Sequence, residues 1–138
     1  MGIDWAQLPE PRRLTAAEQA VLDRLVAHVD CAELTAQAAS VWVTAVCDCG
    51  CSSVRLETDA APLPPATIRR LSSIGRDDYF AIDFTRVTGA DPSTQELQML
   101  QVVVHVAGGS LLELEIFTEE GVPVEIPSPD DFDDITVR

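Results

Sequence analysis

Two alternating runs that meet at Gly108-Gly109 constrain this chain more than any other feature. Residues 96–106 place Leu100, Val102, Val104 and Val106 two apart, and Ser110–Thr118 repeats the pattern with Leu112, Leu114 and Ile116. Side chains two apart share one face of a strand. Paired glycines supply the positive φ that a two-residue hairpin loop requires. The segments therefore predict an antiparallel hairpin with one apolar face, from which Glu113 and Glu115 point away. Such a sheet needs a second layer over its apolar side.

The N-terminal part of the chain offers that layer. Thr15-Ala16-Ala17-Glu18 reads as a capping box. Behind it Leu14, Val21, Leu22, Leu25, Val26 and Val29 fall at helical spacing, which predicts a helix over residues 15–29. Asp30 reads as the cap of a second helix over 31–40, with Leu34 and Ala38 inward. Val41–Cys47 then turns to β-branched and aromatic residues, and residues 53–58 read as its partner strand across Asp48 to Gly50. Pro62, Pro64 and Pro65 break the chain before a short helix over 67–73. Residues 79–87 alternate again, with Phe80, Ile82 and Phe84 on one side, and 122–126 read as a short edge segment. Residues 1–13 look like a leader anchored by Trp5 and Leu8, and 127–138 like a peripheral acidic tail. The expected fold is α+β: one domain over 1–138, two N-terminal helices packed on one face of a roughly five-stranded antiparallel meander sheet.

Charge limits the partners. The chain has no lysine, and 23 acidic residues against nine arginines give a net charge of −14. That balance repels nucleic acid and anionic membranes and favours a basic protein partner. No apolar run approaches the ~18 residues of a membrane span. The first residues lack the basic and apolar regions of a secretory signal, so a cytoplasmic location is expected.

The densest chemistry lies in Cys47-Asp48-Cys49-Gly50-Cys51, at the tip of the first hairpin. Thiolates bind zinc or copper(I), and zinc prefers four tetrahedral ligands. The spacing departs from the paired C-x-x-C of zinc knuckles. The ~15 Å rise of the second helix and the ~20 Å of the strand after it return Cys31 toward the tip if the strand folds back along the helix. The predicted zinc set is thus Cys31, Cys47, Cys49 and Cys51. Two other readings stand beside it: a redox pair of Cys49 and Cys51, or reduced thiols with no cofactor.

Of the two histidines, His105 is expected opposite Val104 and Val106, close to Asp83. A His–Asp pair could act as a base, but no nucleophile elbow, phosphate loop or H-E-x-x-H motif accompanies it. A non-enzymatic protein is expected. The acidic groups Glu113, Glu115, Glu119, Glu120, Asp130, Asp131, Asp133 and Asp134, around an exposed Phe132, read as a docking surface for a basic partner.

Several segments together resemble a family of small uncharacterised actinobacterial proteins with a C-x-C-G-C hairpin. They are Leu14-Thr15-Ala16-Ala17-Glu18 running on to Leu25, Cys47 to Val54, Val104 to Glu115 with its Gly108-Gly109 turn, and the Pro-Asp tail. The resemblance covers residues 14–59 and 97–132. It implies a bacterial, cytosolic, single-domain protein and brings no activity with it. Size and acidity are similar to those of immunity proteins that neutralise secreted toxins. The expected function is an acidic protein-binding domain, an immunity- or antitoxin-like inhibitor of a basic toxin domain; the alternative is a small thiol- or zinc-binding domain centred on the hairpin.

Overall fold

The capping box at Thr15 is formed. Glu18 N–H donates to Thr15 Oγ1 (3.2 Å) and Thr15 N–H donates to Glu18 Oε1 (2.9 Å), which starts α1 (Ala16–Ala27). The structure, a computed structural model, describes residues 4–90, 92–95, 97–118 and 124–138. Asp30 takes a left-handed φ of 47° and so turns the chain instead of capping it. Cys31 stands at the cap position of α2 (Ala32–Ala39), without a side-chain cap bond.

The remaining elements are β1 (Trp5–Arg13), β2 (Val41–Cys47), β3 (Val54–Thr58), α3 (Pro65–Leu71), β4 (Tyr79–Ala90), β5 (Leu97–Ala107), β6 (Ser110–Thr118), a 3-10 turn (Pro129–Asp131) and β7 (Thr136–Val137). Among the described residues this is an α+β fold, with three α-helices and an antiparallel sheet in the order β1-β2-β3-β6-β5-β4-β7. The expected meander is not formed, because β3 pairs with β6 and not with β4. Residues 59–78 carry the chain past β6 and β5, and α3 within that connection buries Ile68 in the core.

Two segments assigned to the periphery are part of the sheet. The expected leader is strand β1, paired with β2 from Trp5↔Cys47 to Arg13↔Trp42 around an irregularity that holds Pro9 and Pro11. Arg12 clamps it to α1 through hydrogen bonds of 2.8 and 3.1 Å to the Glu18 carboxylate. The expected tail docks through Phe132, 3% exposed and stacked on Phe84 at 4.3 Å, before β7 pairs with β4. The edge segment expected over 122–126 lies partly outside the described residues, and Val124 to Ile126 is not strand.

All three helices and Phe132 contribute to one core cluster with Val41, Val43, Leu56, Phe80, Val104 and Leu114, so they lie on one face of the sheet. Gln37 of α2, fully buried, pins that layer to the β5–β6 turn. Its amide donates to Gly109 O (2.8 Å) and Ala61 O (3.1 Å), and it accepts from Leu111 N–H (2.9 Å). Gly109, with φ +87°, is required there, since a Cβ would sit 2.6 Å from Leu63 O.

Two β-bulges decide what the other face carries. Val43 pairs with Leu56 but Ala45 with Arg55, so Thr44 is an extra residue; beyond it Val46 turns to the core and Ala45 and Cys47 away. His105 pairs with Glu113 but Val106 with Leu111, so Leu112 is extra, and Leu111 fills the core position expected of Leu112. The face away from the helices thus holds Cys47, Arg55, Glu113, His105, Glu115 and Tyr79. No helix among the described residues is long and apolar enough to cross a membrane.

Candidate functional site

The β2–β3 hairpin turns through Gly50 at φ +90°, which folds Cys49 and Cys51 back over the end of β2. The sulfur atoms of Cys47, Cys49 and Cys51 lie within 4.8 Å of one another, so the three could hold a metal ion. Cys47 and Cys49 Sγ are 2.8 Å apart and Cys51 N–H donates to Cys49 Sγ (3.3 Å). Cys51 Sγ donates to Ser53 Oγ (3.2 Å), which also accepts Ile116 N–H (3.0 Å) and so ties the tip to β6.

The three thiols are unequal. Cys47 is buried, and desolvation together with the hydrogen bond to Cys49 pushes its pKa up to about 12. Cys49 is exposed, and the Cys47 S–H and Cys51 N–H pointing at its sulfur lower its pKa. Of the pair, Cys49 is therefore the more acidic thiol and Cys47 the one that holds its proton more tightly.

Cys31 does not join this cluster. It is buried in the core at the start of α2, with its Sγ on the Glu33 carboxylate (3.4 Å). The four-ligand set expected from element lengths fails because β2 starts on the core side and crosses to the other face at the Thr44 bulge. Cys31 stays beneath the helices while Cys47 emerges opposite.

A second cluster was not legible as such. His105 pairs with Ala81, not Asp83, and Asp83 instead pairs with Arg138 at 2.5 Å. His105 lies between Tyr79, whose Oη is 2.5 Å from Nδ1, and Glu115, hydrogen-bonded at Nε2. One nitrogen or oxygen atom from each of His105, Glu113 and Glu115 lies within 4.8 Å of the others. Burial and the neighbouring Glu115 raise the Glu113 pKa against the opposing pull of His105 and Arg55. Arg55 stands beside Glu113 in the sheet, yet its guanidinium lies 5.4 Å from the Trp5 ring centroid, and among the described residues its buried Nε has no hydrogen-bond partner. The sequence did hold a signal. A two-residue loop at Gly108-Gly109 makes Val106 face Leu111, so Leu112 and Leu114 cannot both point inward without a bulge.

The docking residues separate. Glu113 and Glu115 belong to this half-buried cluster, and Asp130, Asp131, Asp133 and Asp134 are exposed on the tail. Phe132, expected at the surface, is buried because its ring fills the gap beside Phe84. Glu119 and Glu120 lie outside the described residues. Compared with family models, curated proteins and solved structures, the chain matches none.

Proposed function

We propose that this protein is a small metal-binding domain whose hairpin tip takes one thiophilic ion, zinc or copper(I), through Cys47, Cys49 and Cys51. The proximity of the three sulfur atoms, within 4.8 Å of one another, carries the reading. Thiolates select these ions over hard cations. With three protein sulfurs, zinc retains a fourth position for water or for a donor from a partner. The ion must displace the proton on Cys47, so binding strengthens as pH rises. Protein purified without chelator is expected to carry close to one equivalent of metal or to take it up in anaerobic titrations with Zn2+ and copper(I), run separately. Cys47→Ser is expected to abolish that uptake. Wild-type protein that stays far below one equivalent of either ion refutes the reading.

A second reading is supported by the net charge of −14 and by exposed Asp130, Asp131, Asp133 and Asp134. In it the protein is a non-enzymatic acidic domain that docks a basic partner, most concretely an immunity-like inhibitor of a toxin domain. Affinity capture should recover a basic protein that is lost when the four aspartates become asparagine. Equal recovery by that variant argues against the tail as the docking surface.

A further inference from the structure

Two carboxylates and an imidazole converge on the sheet face that the helices leave bare, far from any motif. Glu113 and Glu115 are two apart on β6 and so share that face. His105 of β5 is the Cα partner of Glu113. The side chains of His105 and Glu115 are 19% and 18% exposed, and Glu113 is half-buried, so water reaches all three without fully solvating them. The ligand atoms lie within 4.8 Å of one another. Bonds of about 2.0–2.2 Å to a first-row cation set such atoms roughly 3–4 Å apart, a closure within reach of rotation at two glutamate side chains.

We propose that His105, Glu113 and Glu115 form a second cation site, distinct from the cysteine tip, for a first-row divalent ion that prefers nitrogen and oxygen ligands. The charge arrangement favours a positive species there. Two carboxylates face the ring nitrogen, while Arg55, the arginine beside Glu113 in the sheet, lies over Trp5. In the metal-free protein His105 Nε2 is hydrogen-bonded to Glu115, a contact that a proton on Nε2 satisfies. When a cation enters, it replaces that contact, and the proton of the neutral ring resides on Nδ1. Tyr79 makes the exchange feasible, because its hydroxyl, 2.5 Å from Nδ1, can donate in one state and accept in the other. A hydrogen bond on the far ring nitrogen is what orients a metal-binding histidine. Tyr79 is thus a positioning residue. The ligand types suit Mn2+ or Zn2+ and not copper(I), the softer of the ions that the thiolates would take.

The test uses the full chain carrying Cys47→Ser, Cys49→Ser and Cys51→Ser, which removes the thiolate site, titrated with Mn2+ and followed by electron paramagnetic resonance. One equivalent is expected to bind. His105→Gln and Glu113→Gln should each abolish binding, and Tyr79→Phe should weaken it by about tenfold. Glu113→Gln removes a half-buried carboxylate with little change of shape, so circular dichroism of that variant should show an intact fold. Absence of Mn2+ binding, or binding that survives His105→Gln and Glu113→Gln, overturns the proposal. Both outcomes leave the cysteine reading untouched.

Discussion

Truncating Phe132 to alanine tests whether the acidic C-terminal segment is part of the folded body or a free docking arm. The ring is 3% exposed and stacks on Phe84 at 4.3 Å and 18°. Behind it, Arg24 Nη2 donates to Phe132 O (2.9 Å), and Ala81 and Arg138 exchange backbone hydrogen bonds of 2.8 and 2.9 Å. Phe→Ala in a core costs about 3–5 kcal/mol. Here the lower end applies, about 3 kcal/mol, because a segment held by a three-residue 3-10 turn and a two-residue strand can shift instead of leaving a rigid cavity. At about 2.1 cal/mol/K of unfolding entropy per residue, the 138 residues lose roughly 0.3 kcal/mol per degree near the midpoint. The expected fall in Tm is therefore about 10 °C.

Thermal unfolding by circular dichroism measures the fall, and amide exchange locates it. Protection should drop at Ala81 and Arg138, where β7 is held, while β5 and β6 keep theirs. Phe132→Leu should lose the ring stacking, about 0.5–1.5 kcal/mol, and retain most of the burial. A Tm shift for Phe132→Ala of less than about 2 °C, with exchange at Arg138 unchanged, would refute the docked tail. It would also restore Phe132 to the surface, where the sequence had placed it.

Gln37→Ala should be damaging, because it strands the buried Leu111 N–H and removes one of the two hydrogen bonds to Gly109 O, which keeps the Leu63 N–H (2.8 Å). At about 1–3 kcal/mol for a buried group left without a partner, a loss near 2 kcal/mol is expected in urea unfolding. A loss under about 1 kcal/mol would show that water replaces the amide. Glu18 governs part of the acid response. Burial alone would raise its pKa, but the Arg12 guanidinium and the Thr15 backbone and hydroxyl bring it below the usual value. Its contribution is present above the unfolded pKa of about 4.3 and fades as pH falls through the lower folded value. Tm should therefore decline more steeply between about pH 5 and pH 3 in the native protein than in Glu18→Gln. Parallel curves would refute this role.

The sequence determined what short-range rules can carry. The Thr15 box, the stripe through Leu25, the period-2 runs and the glycine pair each encode a local geometry, and the helices and most of the strands follow from them. Local signals also placed Cys47, Cys49 and Cys51 on one tip, since a hairpin keeps residues two to four apart together. Only the tertiary structure decided the rest. Pro9 and Pro11 disguised β1, which is a strand because an edge of the sheet tolerates prolines that need not donate. The order of the strands depended on where residues 59–78 deliver the chain, a matter of packing α3 and Ile68. The sites depended on two single-residue bulges. Thr44 sends Cys47 to the face opposite Cys31, and the extra residue Leu112 puts Leu111 in the core while Glu113 and Glu115 keep the outward face that the alternation predicts, beside His105. Because strand side chains alternate with a period of two, one extra residue moves every later side chain to the other face. Where that residue falls is fixed by the pairing of distant strands.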